Sequence, residues 1–265
     1  MLNRFYLLLV LLLLNWCFYE RAWSEMSQQD PYSQEILEKI SPEDLFQVVK
    51  LINDRYQAGY ETFLKGGYQT SVDELRHYLS ENSDSRIAMI RNKETQEVVA
   101  SLIIRLMEPN ASTIMFHKFV AHPKVKGLGK RLLRFAERWA LVQNPSAQEI
   151  RLEALKQAES LVKYYRSNQY EFVYKSNGEL EERWIASEDQ KRVTEPFSNQ
   201  KLTFVMMAKA RSQVEQESEA SSLNAVFSAI EKNSPSTRSF FGAKPRIPQG
   251  VFHFSDSWSN DQRAM

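Results

Sequence analysis

The sequence predicts an α/β fold of the α+β kind, a mixed sheet with helices on its flanks. Three observations carry this expectation. Two capped helix starts come first in the chain, at Ser41 and Ser71. A hairpin signature and a further apolar strand follow them. Then a helical stripe and a short helix alternate with strands up to about residue 210.

The elements follow in order. Ser41-Pro42-Glu43-Asp44 places a capping side chain before a proline and two acids, which suit the positive end of a helix dipole. Leu45, Val48, Val49 and Ile52 continue at helical spacing. In TSVDELRHYLSEN, Ser71 and Glu74 have the spacing of a capping box. SRIAMIRNKETQEVVASLIIRLM reads as two strands around NKETQ, and STIMFHKFVA as another strand. Residues 127–142 read as a helix with Leu128, Leu132, Ala136 and Trp139 on one face. QEIRLEAL is a strand, 157–167 a short helix, and YEFVYK and LTFVMMAK the last two strands. No internal repeat is evident.

Both ends differ from this middle. Residues 1–25 carry an apolar run from Phe5 to Leu14, extended by Trp16 to Tyr19 and stopped by Glu20 and Arg21. The run is short of the roughly 20 apolar residues of a spanning helix. Three readings stay open: a cleaved signal, a membrane anchor through residues 5–19, or an extension upstream of a true start at Met26. A membrane partner is expected only where residues 1–25 are retained. Residues 26–41 read as a polar N-terminal segment, 42–210 as the folded α/β domain, and 211–233 as one amphipathic helix with Leu223, Val226, Phe227 and Ile230 on a stripe. Residues 234–265 are rich in Pro, Ser and Gly and read as disordered, with Phe240, Phe241, Phe252, Phe254 and Trp258 either packing back or forming a docking segment.

Composition excludes several function classes. The formal charge is +1, without the basic surplus of a nucleic-acid binder. The lone Cys17 allows neither a disulfide within the chain nor a cysteine-based zinc site. The four histidines are scattered except for His117 and His122, so no metal is expected.

The motif that carries chemistry is HPKVKGLGKRLL, residues 122–133, between a strand and an amphipathic helix. A helix start offers unpaired backbone N–H groups and a positive dipole end, and glycines let a phosphate come close. Lys124, Lys126 and Lys130 add positive charge. The spacing fits neither the Walker A loop nor the three-glycine dinucleotide fingerprint. A glycine pair at this place is either a phosphate cradle or a structural close approach.

Lys124-x-x-Gly127-x-Gly129 resembles the Arg/Gln-x-x-Gly-x-Gly/Ala loop of the GNAT superfamily of N-acetyltransferases, and RLEALKQAESLVKYYRSNQYEFV resembles its LEV…LYRSLGF region. The likeness spans about residues 42–210, is specific over 113–173, and is nearest to the enzymes that acetylate the N-terminal alanine of a ribosomal protein. It implies acetyl-CoA as co-substrate and a mostly antiparallel sheet whose strands splay at the cofactor slot. The resemblance places the pantetheine along His117, Lys118, Phe119 and Val120, and the pyrophosphate on Lys124, Val125, Lys126, Gly127, Leu128, Gly129 and Lys130. The acceptor it implies is an amine, with a protein or peptide N-terminus nearest and a lysine side chain, a polyamine or an aminoglycoside also open, and acetyl-CoA as co-substrate places the activity in the cytoplasm. The sequence departs from the pattern at Lys124, where Arg or Gln is usual, at Pro123, which lies nearer the glycines, at Gln169-Tyr170 in place of Gly-Phe, and at Ala158 in place of Asn.

Acetyl transfer to an amine needs a base, donors for a developing oxyanion, and an acid for the departing thiolate. The resemblance implies Glu153 in RLEAL as base and Tyr165, twelve residues on, as acid. Each has a plainer reading, an exposed strand carboxylate for Glu153 and a core aromatic for Tyr165. His117 is a second base candidate, or a structural strand histidine. The rival to an enzyme is a GNAT-fold module that has lost catalysis and binds CoA or a partner.

Overall fold

The computed structural model describes residues 30–66, 70–107, 111–186, 191–194, 197 and 201–233, with side chains to 222 apart from that of residue 60. The leader and the tail lie outside the described residues. So do the side chains of the 223–230 stripe.

An eight-stranded mixed sheet organises the chain. The strands are β1 (Tyr32–Leu37), β2 (Ser85–Asn92), β3 (Val98–Arg105), β4 (Thr113–Ala121), β5 (Glu149–Leu155), β6 (Glu171–Phe172), β7 (Glu182–Trp184) and β8 (Thr203–Ala210). Their order is β1-β2-β3-β4-β5-β8-β6, with β7 also paired to β8. The β4–β5 pair is parallel and the other described pairs are antiparallel. The helices are α1 (Pro42–Tyr60), α2 (Val72–Glu81), α3 (Leu128–Gln143), α4 (Glu159–Ser167) and α5 (Arg211–Asn233). This is the mixed, mostly antiparallel sheet with flanking helices that the sequence leads one to expect. Among the described residues no helix is long and apolar enough to cross a membrane.

The caps form as their residues dictate. The Ser41 side chain accepts from the Asp44 N–H, and Ser71 and Glu74 close the capping box reciprocally. Asp44 also binds Arg91 at 2.6 Å, so the start of α1 is pinned to β2. The helices bury different faces of the sheet. Leu45, Val48 and Ile52 of α1 and Leu75 of α2 pack with Ile87, Met89, Ile103 and Val120. Leu128, Leu132, Leu133 and Ala136 of α3 and Tyr165 of α4 pack with Ile104, Ile114, Phe116 and Leu152 on the other.

Two strands lie where the sequence reading has none. β1 falls inside the polar segment 26–41 and pairs along β2 from Tyr32↔Asn92 to Leu37↔Ile87. It is an edge strand, all six residues only half-buried, so YSQEIL lacks a clean apolar alternation. β7 continues the pairing that β6 begins on the β8 edge. Glu171↔Ala208 and Phe172↔Met207 come first, then Glu182↔Val205 to Trp184↔Thr203. Between them residues 174–180 bulge out around Gly178, whose φ is 81°. The strand expected over YEFVYK is therefore only two residues long.

A buried polar network joins α3, β8 and α5. Lys209 donates to Glu137 at 3.1 Å and Glu217 at 2.7 Å, and the Tyr170 hydroxyl donates to Glu137 at 2.9 Å. The Lys209 and Glu137 side chains are each 1% exposed. Burial lifts the Glu137 carboxyl above its ordinary range, opposed by Lys209 and by the Tyr170 hydrogen bond. Tyr170 stands where the resemblance places Phe, and its hydroxyl is what Phe would lack. Gln169, in the place of Gly, adopts φ 67° and points its side chain to solvent. A left-handed residue with a Cβ costs about 1 kcal/mol.

Two outcomes follow for stability. Gln169→Gly relieves that backbone and, net of the entropy glycine adds to the unfolded chain, is expected to stabilise by a few tenths to about 1 kcal/mol, read from denaturant melts. Lys209→Met leaves two carboxylates facing each other and is expected to cost about 3 kcal/mol near neutral pH. The raised Glu137 pKa sets the sign: the loss shrinks as pH falls and the carboxyl takes a proton, so melts at about pH 5 and pH 8 should differ in that direction.

Candidate functional site

The site is built where β4 and β5 part. Their parallel pairing runs from Thr113↔Glu149 to Phe116↔Leu152 and stops there. β4 goes on to Ala121, paired with β3, and β5 goes on to Leu155, paired with β8. Beyond Phe116 each strand has lost its neighbour on the inner side, leaving a wedge open at the C-terminal ends of both.

A β-bulge sits at the same point. Ser101 faces Val120 and Ile103 faces His117, so Lys118 and Phe119 together oppose Leu102. Lys118 takes φ 47° to make the bulge. One extra residue flips the faces of the strand. Before it, Ile114 and Phe116 point into the α3 core. After it, Phe119 and Ala121 do so, and Val120 enters the α1–α2 core.

His117 comes to the wedge on the α1–α2 face, its ring 6.0 Å from that of Tyr78 in α2, edge to face. Its Nε2 is buried and has no hydrogen-bond partner among the described residues. Burial holds its pKa below the ordinary 6.5; Glu153 pulls it up, while Arg105, Lys118 and Arg183 push it down. Its imidazole is therefore neutral at pH 7, with a nitrogen able to accept. Lys118 faces Glu74 of α2, and burial lowers its pKa too.

Glu153 lies on the same face as His117, because Leu152 and Ala154 on either side of it are buried in the α3 core. Its carboxylate, 24% exposed, accepts from two of the three Arg183 guanidinium nitrogens, Nε at 2.8 Å and an Nη at 2.6 Å. The Arg183 guanidinium in turn lies 4.8 Å over the Phe204 ring. Arg183 belongs to β7, the strand the sequence reading lacks, so this partner of Glu153 has no signal in the motif. The Asn177-Gly178 turn was the one sequence mark of the excursion that brings it there.

The loop after β4 separates the jobs of its two glycines. Gly127 has φ 84° and caps α3, and a Cβ there would meet nothing within 4 Å. Its carbonyl accepts the Arg131 N–H at 2.9 Å, and because glycine has no side chain the first-turn N–H groups of α3 have no side-chain cap. Gly129 is a close approach: a Cβ there would lie 2.9 Å from the Tyr164 hydroxyl and 3.2 Å from Phe119. Lys124, Lys126 and Lys130 are exposed around this start, while Leu128 is buried in the core and Val125 packs against it.

Tyr165 is 4% exposed and packs edge-on to Tyr164 and Tyr170, with Phe119 6.2 Å away. Tyr164 stacks on Phe119 at 6.1 Å, and its hydroxyl, buried beside Gly129, has no hydrogen-bond partner among the described residues. Burial first, then the Glu137 charge, push the Tyr164 hydroxyl well above the ordinary tyrosine range. The structure thus brings His117, Glu153 and Arg183 to one face of the wedge and Phe119, Gly129 and the two tyrosines to the other. Ala158 opens α4 without a side-chain cap. Among the described residues no cluster of three His, Cys, Asp or Glu could hold a metal ion.

No family model matches the sequence, and no curated protein matches it. Solved structures do resemble the fold. A spermidine N-acetyltransferase from Vibrio cholerae in complex with CoA and spermine has a TM-score of 0.48 at 13% identity, over 69% of this chain and 98% of that one. A probable acetyltransferase from Staphylococcus epidermidis gives 0.48 at 13%, over 68% and 99%. A putative phosphinothricin N-acetyltransferase gives 0.47 at 12%, over 67% and 98%.

Proposed function

We propose that this chain is an N-acetyltransferase that uses acetyl-CoA and an amine acceptor. The observation that carries the reading is the parting of β4 and β5 beside a glycine helix start with no side-chain cap, with a neutral imidazole in the wedge whose Nε2 has no hydrogen-bond partner among the described residues. Those residues fit the co-substrate. Past the bulge β4 lacks its β5 neighbour, so an extended pantetheine could pair with residues 117–120. The first-turn N–H groups of α3 and Lys124, Lys126 and Lys130 suit a diphosphate. Acetyl-CoA supplies an acetyl group activated as a thioester. A protein or peptide N-terminus is the acceptor class to test first, supported by the residue-level likeness over LEALKQAESLVKYYRS. The cytoplasm, where acetyl-CoA is made and used, is the location that fits this activity.

The remaining chemistry belongs to side chains. The acceptor must reach the wedge as a free amine, and the face holding His117 and Glu153 is where its proton is taken. Glu153 is the base that the resemblance implies. The two-point pair with Arg183 favours a second reading, in which Glu153 attracts the ammonium and His117 Nε2 accepts the proton. Tyr165 is the proposed acid for the departing thiolate. The orphan hydroxyl of Tyr164, beside Gly129, makes it the competing donor.

Steady-state kinetics with an N-terminal peptide panel separate these roles. Loss of the true base is expected to lower kcat by about a hundredfold or more. With His117 as base, kcat/KM rises with pH through a limb below 6.5, because burial depresses that imidazole and only its neutral form accepts. His117→Gln then abolishes the limb, whereas its disappearance only in Glu153→Gln assigns the proton to Glu153. Tyr165→Phe is expected to slow acetyl transfer and Tyr164→Phe to leave it within a few-fold. The opposite pattern moves the acid to Tyr164.

A further inference from the structure

A groove of about 410 Å³ opens between the first three turns of α3 and the start of α5, reached from Gly127 and bordered by Gln34 of β1. Its α3 wall carries Lys130, Arg134 and Arg138, spaced four residues apart and so stacked on one face. That arrangement is unfavourable in isolation. Like charges at i and i+4 repel, and Lys130 adds charge at the positive end of the dipole. The other capped helices do the reverse, with Glu43 and Asp44 opening α1 and Asp73 and Glu74 opening α2, while α3 has no acid in its first turn.

Neighbouring groups leave much of this charge unanswered. Arg131 is committed to Asp30 at 2.6 Å and the Tyr32 carbonyl at 3.2 Å. Glu137 and Glu217 are committed to Lys209. Arg134 reaches Glu217 only at 3.7 Å, and its buried Nε has no hydrogen-bond partner among the described residues. Arg138 spends its Nε on the Arg134 carbonyl, and Lys130 has no described ion-pair partner.

We propose that this groove binds a phosphate monoester dianion, held by Lys130, Arg134 and Arg138. It rests on the acetyl-CoA reading for its first source, the 3′-phosphate of CoA. A diphosphate at the Gly127 helix start puts that group one ribose away, and Arg134 and Arg138 lie about one and two turns, 5.4 Å each, beyond Lys130. α5 closes the far wall, so the segment after the sheet becomes part of the ligand site. The second source is a free phosphate monoester or inorganic phosphate.

Calorimetric titrations of the full chain at low salt, with CoA, 3′-dephospho-CoA and inorganic phosphate, test this. Wild type is expected to bind CoA about tenfold more tightly than dephospho-CoA, in line with one or two charge-assisted contacts. The exposed Arg138→Gln change should erase most of that difference and leave dephospho-CoA affinity unchanged. Equal binding of both nucleotides, with phosphate binding that weakens in Arg138→Gln, supports the anion site and assigns it to a free phosphate. Equal binding with no phosphate binding overturns the proposal. Failure of both nucleotides to bind removes the acetyl-CoA reading, and the phosphate titration still decides the groove.

Discussion

The site depends on one event in the sheet, the parting of β4 from β5 after Phe116 and Leu152. A parallel pair in mid-sheet ordinarily keeps its ladder, because buried N–H and C=O groups need partners. Here the bulge at Lys118 and Phe119 turns β4 over within one residue. The flip sends Phe119 to the α3 face, under Gly129, while His117, the last residue before it, lies on the α1–α2 face by plain alternation from Phe116. The wedge, the imidazole at its start and the bulge that brings Phe119 under the glycine loop thus fall within four residues of β4. The left-handed φ of a lysine at that bulge is strain located at the site, and strain of this kind persists where the surrounding packing fixes it.

The C-terminal half holds this geometry from behind. Lys209 of β8 lies in the strand next to β5, and through Glu137 it ties α3 to the sheet and through Glu217 it ties α5 to both. Tyr170 joins the same carboxylate. The helix that carries the glycine start is therefore fixed by a charge network as well as by its apolar face. A buried pair is weak evidence for net stability. Its directional bonds nonetheless fix the position of α3 along β8 in a way that Leu132 and Ala136 packing alone would not.

Much of this was written locally. Ser41 and Ser71 announce their helices through side-chain chemistry that acts within one turn, and NKETQ announces its hairpin. The glycine start of α3 was legible because a left-handed cap and a close approach each demand the residue found there. What was not legible is non-local. β1 is an edge strand whose half-buried residues carry no alternation. Arg183 meets Glu153 across thirty residues of chain, and only because β7 resumes the pairing that β6 drops. Glu137 appears on the apolar stripe of α3 as an error of pattern until Lys209 and Tyr170 are placed beside it. The tyrosine pair holds both kinds of signal: the likeness selects Tyr165, and the hydroxyl beside the loop with no hydrogen-bond partner among the described residues is that of Tyr164.

The central claim is that acetyl-CoA occupies the wedge between β4 and β5 and the start of α3. Amide hydrogen exchange on the full chain, with and without saturating acetyl-CoA, reads this residue by residue. Exchange is expected to slow at residues 117–121 and 127–130 and to stay unchanged along β2. Unaltered exchange across 117–130 would contradict the assignment of the site.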